Sequence, residues 1–306
     1  LYVAWYIRRQ YPWIDLNVTP NFSAISQRSA VLVHQISSLV FSHTDVLILT
    51  FACGLKTVSV YSMYATIYGM VGNIVTIASG SVQSVLGQTY NNDRKRYVKL
   101  QDAYETYFLA LVFALVAIAS IFMLPFMRLY TRGADINYID WKLLALFTAY
   151  QLLNYGRTPS NNPIGFAGKY KETQWRAWLE TGINLTVSFV CVFQFGIYGV
   201  LFGTIAALLY RANDMIVYAN RVVLERSPWH TYRRWLLNLG LFSALMAMFL
   251  RIPMQLDSYW TLIANAIWVS AITLAVFLGV NSLVESEARV VAAEYLARLR
   301  RRSTSL

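Results

Sequence analysis

Apolar runs recur along this chain at intervals of roughly 20–35 residues, each long enough to cross a hydrocarbon core of about 30 Å. After a short apolar opening from Leu1 to Ile7, they cover about 24–52, 56–88, 104–129, 141–167, 174–196, 198–221, 232–250 and 259–283. Composition agrees with that pattern. Of the 306 residues, 57% are hydrophobic and 13% are charged, whereas a soluble domain averages about 45–50% and about 25%. An ordinary soluble enzyme and a disordered chain are both excluded. The expected fold is an all-α integral membrane protein, a polytopic bundle of about eight transmembrane helices.

The basic residues set the topology. Of 26 Lys and Arg, 19 fall at the junctions before the first run, after the second, fourth and sixth, and after the eighth, counting those in the outermost residues of a run. At the alternate junctions stand only Lys56, Arg128, Arg132, Lys142 and Arg251, and two more, Arg157 and Arg211, lie deep inside runs. Positive charge concentrates on the inner side of membrane proteins, so both ends of this chain are expected in the cytoplasm. The net charge of +11 then reflects topology and attraction to anionic lipid. Nucleic acid is not an expected partner, because no fold for reading it accompanies the charge.

The outer loops are short, and the longest, about Leu129 to Asp140, has no room for a soluble catalytic domain. The opening stub looks like the end of a helix begun upstream. In the tail, Val284, Ala288, Val291, Tyr295 and Leu299 form one helical stripe. Glu294 and Arg298 stand one turn apart. The tail is either an amphipathic helix on the inner membrane surface or a solvated basic tail. Cys53 and Cys191 fit neither a disulfide framework nor a zinc site and read as small packed residues. Gly196, Gly199 and Gly203 bracket a short turn and let two helices approach closely. His34 and the series Tyr61, Tyr64, Tyr68 read as packing.

Charge inside a span is costly and faces a cavity or a partner. Five such residues stand out: Asp45, Arg157, Glu180, Arg211 and Asp214, with net charge −1. Among the amides, Asn161, Asn162 and Asn184 are the cavity candidates, with Gln35, Asn73, Asn154 and Asn213 also in the runs. The fourth run holds the clearest anomaly, Asn154-Tyr-Gly-Arg-Thr-Pro-Ser-Asn-Asn-Pro163. Two prolines and a glycine break a regular helix. Irregular backbone at membrane depth is tolerated only in contact with protein or a water-filled cavity. Arg157, about 24 Å along the helix from Trp141, then marks a broken-helix site for an anion or a hinge. In the other reading the helix ends early and 157–169 is a loop. Glu180 can pair with Arg157 or with Arg176, and Arg211 with Asp214 three residues on. Asp45 faces the central cavity or caps the outer rim. Neither metal-ligand spacing, GxSxG nor a phosphate-cradling glycine loop occurs, so neither an enzyme nor a cofactor is expected.

An ordered set of segments carries a family likeness. It comprises Asp45-Val-Leu-Ile-Leu, Val58-Ser-Val-Tyr61, Tyr130-Thr-Arg-Gly-Ala-Asp-Ile-Asn-Tyr138 and Ala167-Gly-Lys-Tyr-Lys-Glu-Thr-Gln174. Glu180, Asn184-Leu-Thr-Val-Ser188 and Gly196-Ile-Tyr-Gly-Val-Leu-Phe-Gly-Thr204 complete it. Over most of 20–283 the chain resembles the C-terminal half of a Wzx-type polysaccharide flippase, of the multidrug/oligosaccharidyl-lipid/polysaccharide superfamily. The resemblance implies a fourteen-helix protein of two six-helix lobes plus two helices. Residues 1–23 would then be the end of a preceding helix and a cytoplasmic linker. Residues 24–221 would form the second transport lobe, 222–283 the added pair, and 284–306 the cytoplasmic tail.

The function implied is alternating-access transfer of an undecaprenyl-pyrophosphate-linked oligosaccharide across the bacterial cytoplasmic membrane. Arg157 and Arg211 would contact the pyrophosphate, alongside Asn161, Asn162 and Asn184. Asp45, Glu180 or Asp214 would couple transport to H⁺ or Na⁺. Lipid-linked oligosaccharide, the bilayer and a polysaccharide polymerase are the partners implied. The rivals are a multidrug or lipid II exporter of the same superfamily and a membrane-embedded glycan polymerase. The GIYG turn and the added helix pair favour the polysaccharide branch, and the lack of a large polar outer loop weighs against a polymerase. A non-transporting interaction subunit is a third class.

Overall fold

The computed structural model describes residues 2–13, 28–249, 251–252 and 258–303. Among them the chain is helical, without a strand. In order the helices are α1 (Tyr2–Gln10), α2 (Arg28–Cys53), α3 (Leu55–Asn92), α4 (Arg94–Tyr130), α5 (Trp141–Gly156) and α6 (Thr158–Phe166). Then follow α7 (Tyr170–Phe195), α8 (Ile197–Tyr218) with a π-helical turn at Ala219–Val223, α9 (Trp229–Phe249), α10 (Tyr259–Val284) and α11 (Ser286–Ser303).

Six of these, α2, α3, α4, α7, α8 and α10, are long and apolar enough to cross a membrane. The architecture is an all-α, multi-pass membrane bundle. The remaining two expected spans are helical but depart from a simple crossing. Residues 141–166 divide at Arg157 into α5, of 16 residues, and α6, of 9. The other is α9, whose first two turns carry Arg233 and Arg234.

The helices α3 and α4 have 38 and 37 residues, or about 55 Å each at 1.5 Å per residue. Both outreach a hydrocarbon core at the end that holds Arg94, Lys95, Arg96 and Lys99. Asp93 closes the turn between them, and its side chain accepts a hydrogen bond from the Arg96 backbone N–H at 3.0 Å. A helix that is apolar all round belongs inside a bundle. That accounts for α4: Leu109, Val112, Phe113, Val116 and Ala117 are fully buried, with α3, α5, α9, α10 and α11 packed around it.

The tyrosine series on α3 packs as its spacing implies. Phe147 on α5 lies 5.0 Å from the Tyr61 ring, 5.4 Å from Tyr64 and 6.3 Å from Tyr68. Each hydroxyl finds a partner, as buried tyrosines require. Tyr64 donates to the Tyr138 carbonyl at 3.0 Å, and Tyr68 lies 2.9 Å from Ser120 Oγ and 2.8 Å from Thr148 Oγ1.

Cys53 and Cys191 are free and half-buried. In the linker expected over 1–23, Tyr2–Gln10 is helix α1, and residues 14–23 lie outside the described residues. In the tail, α11 runs to Ser303, with Ala288 buried against the bundle and Ser286, Glu287, Arg289 and Val290 exposed. The Arg298 side chain of the expected Glu294–Arg298 pair lies outside the described residues.

The α7–α8 hairpin turns at Gly196, whose φ of +55° lies in the left-handed region. Beyond it the two backbones nearly touch. A Cβ added at Gly199 would sit 2.3 Å from the Cys191 carbonyl oxygen, and one at Gly203 would sit 2.1 Å from Ser188 Oγ. Side chains at these positions force the helices apart. Gly203→Val is expected to lower stability by about 1–3 kcal/mol, read as a fall in melting temperature in detergent. Gly182→Ala, inside α7 and meeting nothing within 4 Å, does not lower stability and is expected to raise it by about 0.5–1 kcal/mol.

Candidate functional site

The break between α5 and α6 positions the site. Pro159 lies in the first turn of α6, where a missing N–H leaves no bond unmade. The Asn161 N–H reaches back to the Arg157 carbonyl at 3.1 Å, so helix resumes directly beyond the break. Residues 158–166 are therefore helical and not a loop, while α5 does end early, at Gly156, and turns stand at 157 and 167–169. Pro159, Ser160, Asn162, Pro163 and Ile164 are buried in the bundle.

Beside the break lies a cavity of about 420 Å³. Helix α2 contributes His34, Ser37, Ser38 and Phe41, and α3 contributes Thr76. From the broken helix come Asn154, Tyr155, Arg157, Thr158, Asn161 and Ile164. Tyr170, Thr173, Ala177 and Glu180 from α7, with Arg211 and Met215 from α8, complete the wall. Hydroxyls, amides and aromatic rings dominate that lining.

A chain of ion pairs crosses one side of it. Arg157 pairs with Glu180, and Glu180 Oε2 lies 3.3 Å from Arg211 Nε. Arg211 Nη1 donates to Asp214 Oδ2 at 2.9 Å, and Asp214 in turn pairs with Arg176. Of the two partners the sequence offered to Glu180, the structure uses Arg157, while Arg176 turns to Asp214. The Arg211–Asp214 pair forms as expected. Three arginines against two carboxylates leave the cluster one unit positive. The sequence tally of −1 differs because Arg176 joins the cluster while Asp45 stands apart from it.

Asp45 sits neither on the wall nor at the rim. It is 3% exposed, packed where α2, α3, α7 and α8 meet. Its Oδ2 accepts hydrogen bonds from Tyr61 and Thr204, each at 2.8 Å. Asn184, fully buried, donates to Thr204 Oγ1 at 3.0 Å. The remaining oxygens, Asp45 Oδ1 and Asn184 Oδ1, are buried without a hydrogen-bond donor.

The candidates for substrate contact and for ion coupling thus separate. Arg157, Arg211, Asn161 and Glu180 come together on the wall. Asn184 joins Asp45 instead, and Asn162 is buried with its Nδ2 3.3 Å from the Tyr104 hydroxyl. Asp214 stands behind Arg211. His34, read from the sequence as packing, is on the wall, with Nε2 3.1 Å from the Tyr170 carbonyl and 3.3 Å from Thr173 Oγ1.

A second ionic network escaped the sequence reading. Asp102 and Glu105 on α4 face Arg226, from the segment after α8, and Arg234 on α9. Arg234 also reaches Glu285 at 3.3 Å, so α9 and the α10–α11 junction are tied to α4. The available signal was Glu105 inside the third apolar run, three residues after Asp102 and so on the same helix face. Among the described residues no three His, Cys, Asp or Glu side chains gather as a metal site would require.

Comparison of the chain with protein-family models, with curated proteins and with solved structures gives no match.

Each carboxylate of the first network has two arginine partners, so losing one arginine orphans neither acid. Arg157→Leu and Arg211→Leu are each expected to fold. The double variant strips Glu180 of both partners, and its loss should exceed the sum of the single losses by about 0.5–3 kcal/mol. Unfolding in detergent measures this, and additive losses would contradict the network.

Proposed function

We propose that this chain is the cavity-bearing half of a flippase that carries a lipid-linked oligosaccharide across a bacterial cytoplasmic membrane. The observation that carries the reading is the cavity beside the broken helix. A space of about 420 Å³ lined by hydroxyls, amides, aromatic rings and two arginines suits a phosphorylated sugar. Hydroxyls and amides exchange hydrogen bonds with sugar hydroxyls. Arginine forks match phosphate oxygens. The cluster's single positive charge favours an anion. Irregular helix at such a site is typical of transporters. Five of the spanning helices, α2, α3, α4, α7 and α8, form the second lobe with the broken one, residues 24–221, and α9 with α10 make the added pair. Both ends face the cytoplasm.

Transport then needs no covalent chemistry. The headgroup enters the cavity while its lipid tail stays in the bilayer, and rocking of the lobes exposes the cavity to alternate sides. Of the three acids that could couple this to H⁺ or Na⁺, Asp45 is the best placed. It is buried among oxygen ligands with two of those oxygens unmet, whereas Glu180 and Asp214 are engaged by arginines. Asp45→Asn is expected to abolish any dependence of transport on the H⁺ or Na⁺ gradient. A gradient dependence that survives the substitution removes Asp45 from coupling.

The function is tested in the native cell with the whole gene deleted. Surface glycan should fall and the lipid-linked repeat unit should accumulate in the inner leaflet. Complementation with Arg157→Ala should restore protein in the membrane but less than a tenth of surface glycan, the scale of a lost charge-assisted contact of about 1.5–3 kcal/mol. Unchanged glycan in the deletion strain contradicts the reading. Repeat units that reach the outer leaflet unpolymerised would identify a polymerase.

A further inference from the structure

Glu180 faces two guanidinium groups that differ in freedom. Its Oε1 pairs with Arg157 Nη1. Its Oε2 is 3.3 Å from Arg211 Nε, yet that Nε is buried and donates no hydrogen bond. Arg211 is fixed: its side chain is 3% exposed and Asp214 holds its Nη1. Arg157 is the freer one. Its side chain is 19% exposed and lines the cavity, and beyond Glu180 it meets only weak partners, Asn154 Oδ1 at 3.3 Å and the Phe41 ring at 6.0 Å.

We infer that Glu180 is a movable counter-ion: it occupies Arg157 while the cavity is empty, and turns to the unmet donor of Arg211 when a phosphate-bearing ligand takes Arg157. This deepens the transport reading of the cavity and rests on it. The physical argument is one of replacement. Breaking a buried ion pair is costly when a charge is left alone. Here neither charge is left alone, because the ligand takes the guanidinium and Arg211 Nε takes the carboxylate. The exchange is therefore nearly balanced, as a site that must both load and release requires. The resident carboxylate also sets a threshold. An anion displaces it only by pairing with Arg157 more strongly than a carboxylate does, and a pyrophosphate, with its greater charge, meets that condition.

The test uses the intact protein in detergent, with inorganic pyrophosphate as the probe and calorimetry as the readout. Glu180→Gln keeps the shape and removes the competing charge, so its Kd should fall about tenfold, equivalent to about 1.4 kcal/mol. Arg157→Ala should weaken binding by a similar factor. In the Arg157→Ala background, Glu180→Gln should change Kd by less than about threefold. A merely structural role for Glu180 would weaken binding, never tighten it. If Glu180→Gln binds pyrophosphate no tighter than wild type, or tightens it equally without Arg157, the counter-ion role is overturned while anion binding in the cavity stands. If neither wild type nor Glu180→Gln binds pyrophosphate, both the counter-ion role and the transport reading fall.

Discussion

The molecule turns on an ionic chain held inside apolar helices, Arg157–Glu180–Arg211–Asp214–Arg176. Charges buried among apolar helices must be neutralised by neighbours, and these five come from three separate stretches of sequence. Neutralising them fixes the broken helix, α7 and α8 relative to one another. The close α7–α8 approach at Gly199 and Gly203 brings the two helix faces together, which lets Glu180 on one reach Arg211 on the other. The broken helix brings Arg157 up from the remaining side. The cavity is the space that this arrangement leaves beside α2.

A second network organises the basic end of the bundle. Asp102 and Glu105 on α4 engage Arg226 and Arg234, and Arg234 extends to Glu285. Asn238 and Asn281 exchange amide hydrogen bonds a turn deeper, one of them at 2.9 Å. Helices α9 and α10 are thus joined to the most buried helix by polar contacts at one end and apolar packing along α4. Polar contacts between helices are worth having in lipid, where burial of apolar surface does not distinguish a helix neighbour from a lipid tail.

Periodicity made much of this legible. Apolar runs located the helices because each must satisfy its own backbone inside lipid. The proline–glycine cluster located the break, since Pro159 and Pro163 dictate local backbone whatever their surroundings. Arg211 and Asp214, three residues apart on one helix, pair as the spacing implies. Partners remote in sequence were less legible. Arg176 sits near both Glu180 and Asp214, and only the relative rotation of α7 and α8 decides that it takes Asp214. Asn162 and Asn161 are adjacent, so on a helix they point about 100° apart, and the rotation of α6 puts one on the cavity and the other against Tyr104. Asp45 and Asn184 lie 139 positions apart in the sequence and meet only through packing. Glu105 was hidden by its closeness to the end of an apolar run, where an acid reads as boundary rather than interior.

We propose that this cavity carries a phosphorylated glycan headgroup through the membrane. The most direct measurement reconstitutes the intact protein in vesicles with a fluorescent lipid-linked oligosaccharide in both leaflets, then adds a membrane-impermeant quencher outside. If the cavity does so, the protein makes the inner-leaflet population accessible to the quencher, and free oligosaccharide without lipid stays where it is. Vesicles whose inner-leaflet fluorescence is as well protected with the protein as without it would contradict the claim.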